Sequence, residues 1–387
     1  MAKVQRNHED RGIFREDHHA FRETVRRFYE KDVEPNVSKW EAAGIYDREL
    51  FRKAGAAGIL CPGMPEEYGG GGGDVLHHFV CYEEHGYSER ASGFEGIDTD
   101  STSYLILSAG TEEQKRHWLP KYAVGDVVVE GAFSEPHSGS DVGAMRTTAR
   151  RDGNHYILNG SKIWITNTTH LDLCIVLART SAEDEPKAFS MFILDMTLPG
   201  VTKGKPIKTL HQGPGNLGEI FFDNVRVPAD QLLGGKEGQG LKQGGHSLNL
   251  SRLALSARII ASCERALELT LDFVRDRRAF GQRVFDFQNT QFKLVDMKTQ
   301  IEVARAYVDK CMLKALHNRL TPAEASMAKL WTSEIETGIM DTCVQLHGAM
   351  GLSHEHPISG MFTGARSHRI MMGTSEMQRQ TILRTLA

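Results

Sequence analysis

Residues 131–167 read GAFSEPHSGSDVGAMRTTARRDGNHYILNGSKIWITN, and this stretch decides the fold. It begins and ends in segments of strand character, 127–133 (VVVEGAF) and 163–166 (IWIT), rich in the β-branched and aromatic residues that suit a pleated surface. Phe133, Trp164, Ile165 and Thr166 sit in these segments and Ser134 directly follows the first, so both can line one planar ligand. A flavin ring, for instance, needs an apolar face to stack on and donors along its N5, O4 and N1/O2 edge; backbone amides or a Ser/Thr hydroxyl beside an aromatic supply both. A tryptophan followed by β-branched residues is also ordinary sheet core, and the pattern by itself leaves both readings open. Between the two segments, Ser138 to Asp141 form a small polar loop that lets a backbone or a phosphate come close, and Asn159-Gly160 predicts a type I′ hairpin turn.

The rest of the chain frames this stretch with helices. Residues 14–125 carry helical patterns over 14–28, 47–57, 77–87 and 111–122, the last opened by a Thr111/Gln114 capping box. Gly69 to Gly73 interrupt them as a flexible turn; no Lys or Ser/Thr follows in the way a phosphate-cradling loop requires. From 127 to about 228 short strands alternate with turns, including 189–195 and 219–227, the latter ended by Pro228. From about 238 helical periodicity returns, with Ile259, Ile260, Cys263, Ala266 and Leu267 on one stripe and a Thr321-Pro322-Ala323-Glu324 box opening a later helix. There is no internal repeat. The predicted class is α+β, with domains at 1–126, 127–236 and 237–387.

Bulk properties fit an enzyme. A chain of 387 residues exceeds one ordinary core, and a formal charge of −4 gives no electrostatic reason to expect nucleic acid or an anionic membrane as partner. The opening MAKVQRNHEDRGIFRED lacks an apolar h-region and no run reaches the ~20 apolar residues of a membrane span, so a cytoplasmic location is the expectation. Six cysteines show neither CxxC nor close pairing, which reads as reduced thiols. His18-His19 and His77-His78 show no acidic or cysteine partner at ligand spacing and are read as surface or packing residues, with no metal expected.

The word order S-E-P-x-S-G-S-D followed by N-G-x-K-x-W-I-T-N resembles the flavin-binding signature of the acyl-CoA dehydrogenase family. Later words agree and in the same order: Arg277-Arg-Ala-Phe280-Gly281, Phe287-Gln288, the 345–351 stretch QLHGAMG, and Gly373-Thr374-Ser375-Glu376. The resemblance implies FAD as cofactor and an N-terminal helical domain, a central small β-barrel or sandwich domain and a C-terminal four-helix bundle. It implies that Arg277, Phe280, Gln345, Leu346, Gly348 and Ala349 reach the adenine and pyrophosphate of a neighbouring subunit's FAD, and that Gln288 also binds the cofactor. Thr374 and Glu376 would contact the subunit's own cofactor. An arginine suits a pyrophosphate because its planar fork donates two parallel charge-assisted bonds. A homotetramer, an acyl-CoA thioester substrate and an electron-transfer flavoprotein or oxygen as acceptor follow from the same resemblance. Ser140 would serve both cofactor and pantetheine, Arg252 the acyl-CoA mouth and Arg384 a basic contact; Asn249 stands where many members have aspartate, keeping an acceptor and losing a charge.

The base is where the pattern departs. Removing a proton α to a thioester while a hydride passes to flavin N5 requires a positioned base on the opposite face of the substrate. Most of the family supplies glutamate just before the Gly-Thr word, where this chain has Met372 before Gly373; a long-chain-like branch, whose wording is nearest, supplies it before Arg252, where this chain has Ser251. A serine hydroxyl is a far weaker acid than a carboxyl group and takes no carbon-bound proton without a partner. Asp98 and Asp100 are candidates for a displaced base, although aspartate is common there in members that already have a glutamate. His246 lies about 140° from Ser251 on an ideal helix and is a poor one. Gly244 shares the face of Ser251 and either deepens an acyl cavity or marks close helix packing. The leading expectation is an FAD-dependent acyl-CoA dehydrogenase-type oxidoreductase with an atypical or relocated base. The alternatives are a flavin monooxygenase or elimination catalyst on the same fold, or a catalytically silent subunit that holds FAD or acyl-CoA.

Overall fold

The computed structural model describes residues 11–88, 97, 101–181, 188–211 and 217–386, with the side chains of Ser101 and His246 excepted. Helices α1 (Glu16–Phe28), α2 (Val37–Ala43), α3 (Glu49–Ala56), α4 (Val75–Tyr87), α5 (Ser101–Ala109) and α6 (Glu112–Ala123) come first. Strands β1 (Val129–Ala132), β2 (Thr148–Asp152), β3 (His155–Ile165), β4 (Leu173–Arg179), β5 (Phe189–Asp195), β6 (Val201–Lys203) and β7 (Gly218–Pro228) follow. Then come α7 (Gly240–Asp276), a short hairpin of β8 (Arg278–Ala279) and β9 (Gln282–Arg283), α8 (Gln288–Leu316), α9 (Pro322–His347), α10 (Pro357–His368) and α11 (Ser375–Leu383). The chain divides into two compact units, one of residues 38–73 and 95–248, the other of 1–37, 74–94 and 249–387.

In the first unit the strands make one sheet in the order β1-β4-β2-β3-β7-β6, with β5 on the other side of β4. β1 runs parallel to β4, while β4/β5, β2/β3 and β3/β7 are antiparallel. β4 and β5 are buried almost throughout, as expected of strands covered on both faces. Their Leu173, Ile175, Leu177, Phe189, Met191 and Ile193 pack with Leu105, Ile106, Leu119 and Tyr122 of α5 and α6 into one core. The Thr111/Gln114 box caps α6 as expected, and the Gln114 amide also donates to the carbonyls of Asp230 and Leu232, which ties the helix to the end of the sheet.

In the second unit α7, α8 and α9 carry a common core of Leu253, Ile260, Cys263, Met297, Ile301, Val308, Ile339 and Met340, to which Leu76 and Phe79 of α4 add. The stripe expected from Ile259 to Leu267 is buried here, and Thr321/Glu324 close the reciprocal box at the start of α9 with Pro322 in its first turn.

Two turn expectations are corrected. Gly69 to Gly73 are a tightly bonded loop: their five N–H groups donate in turn to the carbonyls of Glu66, Pro65, Cys61, Met64 and Pro62. The glycines serve close approach, since a Cβ on Gly70 would stand 2.3 Å from the Met64 carbonyl oxygen. Asn159-Gly160 make no hairpin turn; β3 runs straight through them and the reversal falls at Gly153, φ 59°. Gly160, at φ 143°, is a bulge against β7, where a Cβ would meet the Thr147 hydroxyl oxygen at 2.5 Å, and Asn159 instead exchanges side-chain bonds with Asn224. An Asn-Gly pair favours a turn locally, but the ladder on both sides of β3 overrides it.

Candidate functional site

The bulge at Gly160 and a second register shift between Lys162 and Ile165 bracket the residues expected at the cofactor. Trp164, between them, has φ 64° and its side chain is 54% exposed. A bulky residue in the left-handed region costs ~1–2 kcal/mol and persists where its surroundings over-determine it, which is typical of functional sites. The result is an indole displayed on the surface of the unit. Phe133 and Ser134 lie beside it: the Ile163 N–H donates to the Ser134 carbonyl at 3.0 Å. Thr166 is half-buried and Ile165 is buried, so Ile165 offers its backbone and not its side chain.

A buried ion pair fixes this edge. The Lys162 ammonium, fully buried, donates to the Phe133 carbonyl at 3.0 Å and to the Glu135 carboxylate at 2.9 Å. Glu135 also accepts from the N–H groups of Arg146 and Thr147. Burial would raise the Glu135 carboxyl, but the Thr147 and Arg146 bonds and the Lys162 charge hold it below the usual carboxylate range. Burial pushes the Lys162 ammonium down to about 8 against the pull of Glu135. Sequence reasoning missed this pair. Its signal was a lysine on the inward-facing parity of a strand, which calls for a buried acid. In the loop that follows, the Ser138 hydroxyl closes on the Asp141 carbonyl at 2.6 Å and leaves Ser140 exposed.

The helical unit holds the other expected residues. Arg277, Phe280, Gln288, Gln345, Gly348 and Ala349 are all exposed and Leu346 is half-buried. Phe280, at the tip of the β8–β9 hairpin, has φ 52° and is 96% exposed, an aromatic displayed in the same manner as Trp164. Asn249 is half-buried, and Arg384, the C-cap of α11, is exposed.

Ser251 and Arg252 are buried on α7. Arg252 Nε donates to the Met372 carbonyl at 3.1 Å, and Lys329 of α9 donates to the Gly373 carbonyl at 2.9 Å. Gln378 Nε2 reaches both carbonyls, at 3.1 and 2.8 Å. These three side chains hold two successive left-handed residues, Met372 at φ 54° and Gly373 at φ 91°. Thr374 then caps α11 through the Met377 N–H, with Glu376 exposed in its first turn. The geometry that would aim a residue at 372 is therefore in place, but the residue aimed is a half-exposed methionine. Burial draws the Arg252 guanidinium below its ordinary value; burial and the Arg252 charge push the Lys329 ammonium down to about 8. Lys329 and Gln378 were also missed, although Lys329 stands four residues after Ala325 on the apolar face of α9. Asp98 and Asp100 lie outside the described residues, as does the His246 side chain. Gly244 marks close approach to a strand and not to a helix: a Cβ there would lie 3.0 Å from the Met191 methyl of β5.

The histidines are packed more closely with acids than their spacing suggests. Asp17, His18 and His77 have their ligand atoms within 4.8 Å of one another, and Asp74 accepts from His18 Nε2 at 2.9 Å. The cluster has a structural explanation. His18 Nδ1 accepts from the Arg15 N–H and His77 Nδ1 from the Asp74 N–H, closing reciprocal boxes at the starts of α1 and α4. The boxes engage Nδ1 of both rings, whereas a metal ligand binds with a lone pair of one ring nitrogen and donates from the other.

Known proteins match the chain over nearly its whole length. Sequence profiles of the acyl-CoA dehydrogenase N-terminal, middle and C-terminal domains match residues 15–126, 131–225 and 238–387. The rat mitochondrial long-chain specific acyl-CoA dehydrogenase is 39% identical over 378 residues, covering 97% of this chain and 88% of that protein. The crystal structure of an acyl-CoA dehydrogenase from Geobacillus kaustophilus superposes with a TM-score of 0.93 at 36% identity, covering 96% of this chain and 98% of that one. A glutaryl-CoA dehydrogenase from Mycobacterium smegmatis, solved in complex with FADH2, gives 0.89 at 28% identity over 98% and 96% of the two chains. With its flavin words, its fold and its full length matched, the chain belongs to the acyl-CoA dehydrogenase family, FAD-dependent oxidoreductases that act on a CH–CH group of an acyl thioester.

Proposed function

We propose that this protein oxidises an acyl-CoA thioester at its α,β-bond with a proton acceptor that stands at neither of the positions the family commonly uses. The observation that carries this is the contrast at the helical unit: the carbonyls of Met372 and Gly373 are held by Arg252, Lys329 and Gln378, yet 372 is methionine and 251 is serine. FAD supplies the hydride acceptor when bound. Trp164 and Phe133 offer it an apolar face, and Ser134 and Thr166 offer edge donors. Arg277 would serve a pyrophosphate and Phe280 an adenine, both in a partner subunit, which suits their full exposure. Ser140, Asn249, Arg252 and Arg384 are assigned to the acyl-CoA.

A homotetramer is the assembly proposed, with domains at 1–126, 127–236 and 237–387. An apolar stripe supports it: Phe292, Val295 and Val303 of α8 fall on one helical face and are each about 60% exposed, and Met327 and Trp331 of α9 are 37% and 50% exposed. An electron-transfer flavoprotein or oxygen takes the electrons. Six buried cysteine thiols outside any disulfide suit a reducing, cytoplasmic compartment. The missing carboxylate favours one second reading, a flavin enzyme of this fold whose chemistry needs no strong α-proton base. An anaerobic titration separates the two. Bleaching of the flavin by a saturated acyl-CoA supports dehydrogenation. Reduction only by dithionite, followed by rapid reaction with oxygen, supports the second reading, and a purified protein that binds no FAD overturns both.

A further inference from the structure

Several buried or largely buried cations among the described residues come with acids. Arg11 holds Glu83 and Asp309, Arg22 holds Glu83 and Glu84, Arg305 holds Glu83 and Glu264, and Lys162 holds Glu135. Arg252 and Lys329 differ from these. Arg252 is 8% exposed and Lys329 not at all, and among the described residues neither has a carboxylate within salt-bridge distance. Their partners are neutral: the Met372 carbonyl and Ser326 hydroxyl for Arg252, the Gly373 carbonyl for Lys329. The acids that act on Lys329 at longer range are Glu334 and Glu376. Glu334 is already committed, to Arg369 at 2.7 Å and to the Ser375 hydroxyl, and Glu376 is exposed to solvent. Two like charges thus face each other across adjacent carbonyls at a point where burial makes an uncompensated charge costly.

The Arg252 end of the pair is open on one side, with Lys329 buried behind it. Met372 and Gly373 are half-exposed, and Arg252 Nη2, which donates to none of the described residues, stands 3.3 Å from where a Cβ on Gly373 would be. We propose that Arg252 and Lys329 form an anion site for a carboxylate that the chain does not supply, and that the acyl thioesters it takes carry that carboxylate on their acyl group. The inference rests on the acyl-thioester reading for its substrate class. The fork of Arg252 gives direction to the contact and Lys329 gives charge. Carboxylate chemistry is the common requirement, and a free small carboxylate bound beside a neutral acyl chain would meet it equally.

Calorimetry on the FAD-loaded protein tests this with adipoyl-CoA, its ω-methyl ester and sodium formate, each in two buffers of different ionisation enthalpy. Burial and the Arg252 charge push the Lys329 ammonium down to about 8, so an anion that raises its affinity for protons should draw in roughly half a proton per site at pH 8. The acid should bind ~10- to 100-fold more tightly than the ester, as a charge-assisted bond gives, and only the acid should take up the proton. Lys329→Met should abolish both differences. Gln378 still bonds the Gly373 carbonyl in that variant, so no acceptor is orphaned. Lys329→Arg should keep the preference and lose the proton uptake. If either variant fails to fold, the wild-type measurements decide alone. Proton uptake from formate, with no preference between the two thioesters, assigns the carboxylate to a free anion. Equal affinity of acid and ester, or a preference for the acid without proton uptake, combined with a silent formate titration, overturns the site. If neither thioester binds and formate still takes up a proton, the acyl-CoA reading falls and the anion site stands.

Discussion

Lys162→Met removes the ammonium that holds the Phe133 carbonyl and Glu135, and its cost follows from the geometry. Both side chains are essentially buried, at 0% and 1% exposure, so the substitution leaves a buried carboxylate without its counter-ion, a loss of ~3–5 kcal/mol. Two of the three bonds to that carboxylate survive, from Arg146 and Thr147, which keeps the unit folded but weaker. Each kcal/mol moves the midpoint of a unit of this size by ~2–4 °C, so thermal unfolding should fall by ~6–20 °C. Adding Glu135→Gln should recover most of that loss, because the amide keeps an acceptor for the backbone N–H groups and removes the stranded charge. Circular dichroism gives the unfolding midpoint and flavin fluorescence gives FAD release, which should precede unfolding in Lys162→Met since Phe133 has lost its tether. A Lys162→Met protein that unfolds within ~1 kcal/mol of wild type and retains FAD equally would refute the reasoning.

Other expectations follow from single sites. Arg277→Ala should weaken FAD binding ~10-fold or more without altering the unfolding of the apoprotein, read by equilibrium dialysis beside calorimetry. Gly86→Ala should destabilise by ~1–3 kcal/mol in denaturant titration, because its Cβ would stand 2.0 Å from the Arg258 carbonyl oxygen. Val295→Glu, on the exposed stripe of α8, should shift the assembly from tetramer to a smaller species by light scattering, leaving far-ultraviolet dichroism unchanged. Burial opposes ionisation of Asp74, but bonds from His18 and Arg15 hold it well below the usual carboxylate range. Its contribution is therefore present above the unfolded value of about 4 and is lost as pH falls below it, so Asp74→Asn should lower the melting midpoint at pH 7 and flatten its decline between about pH 5 and 3.

What the sequence made legible was whatever rests on local chemistry. The capping boxes at Thr111 and Thr321, the strand at 189–195 and the stripe from Ile259 to Leu267 appear where spacing puts them, because cap and period are set within a few residues. Turn chemistry misled at Asn159-Gly160 and at Gly69 to Gly73, where partners distant in sequence or folded back over the loop decide the conformation. The flavin words drew attention to Trp164 and Phe133, but neither the left-handed backbone of Trp164 nor the Lys162–Glu135 pair can be read without knowing which carbonyl each donor reaches. Lys329 was hidden for the same reason. Its meaning lies in the Gly373 carbonyl 44 residues away and in the absence of a carboxylate beside it among the described residues. Ser251 and Met372 were the reverse case, since a missing functional group is visible in sequence alone.

The central claim is that the flavin and acyl-thioester machinery is intact and only the usual carboxylate base is missing. Anaerobic stopped-flow measurement of flavin reduction by a saturated acyl-CoA, with wild type and Ser251→Glu side by side, tests it most directly. Arg252 fixes the register, so a glutamate at 251 would occupy the place that the long-chain-like branch uses. A positioned base is worth typically ~100- to 10,000-fold, felt in the reduction rate and little in substrate affinity. The account predicts slow bleaching in the wild type and a gain of that order in Ser251→Glu at nearly unchanged thioester affinity. Rapid bleaching by the wild type that Ser251→Glu leaves untouched would contradict it.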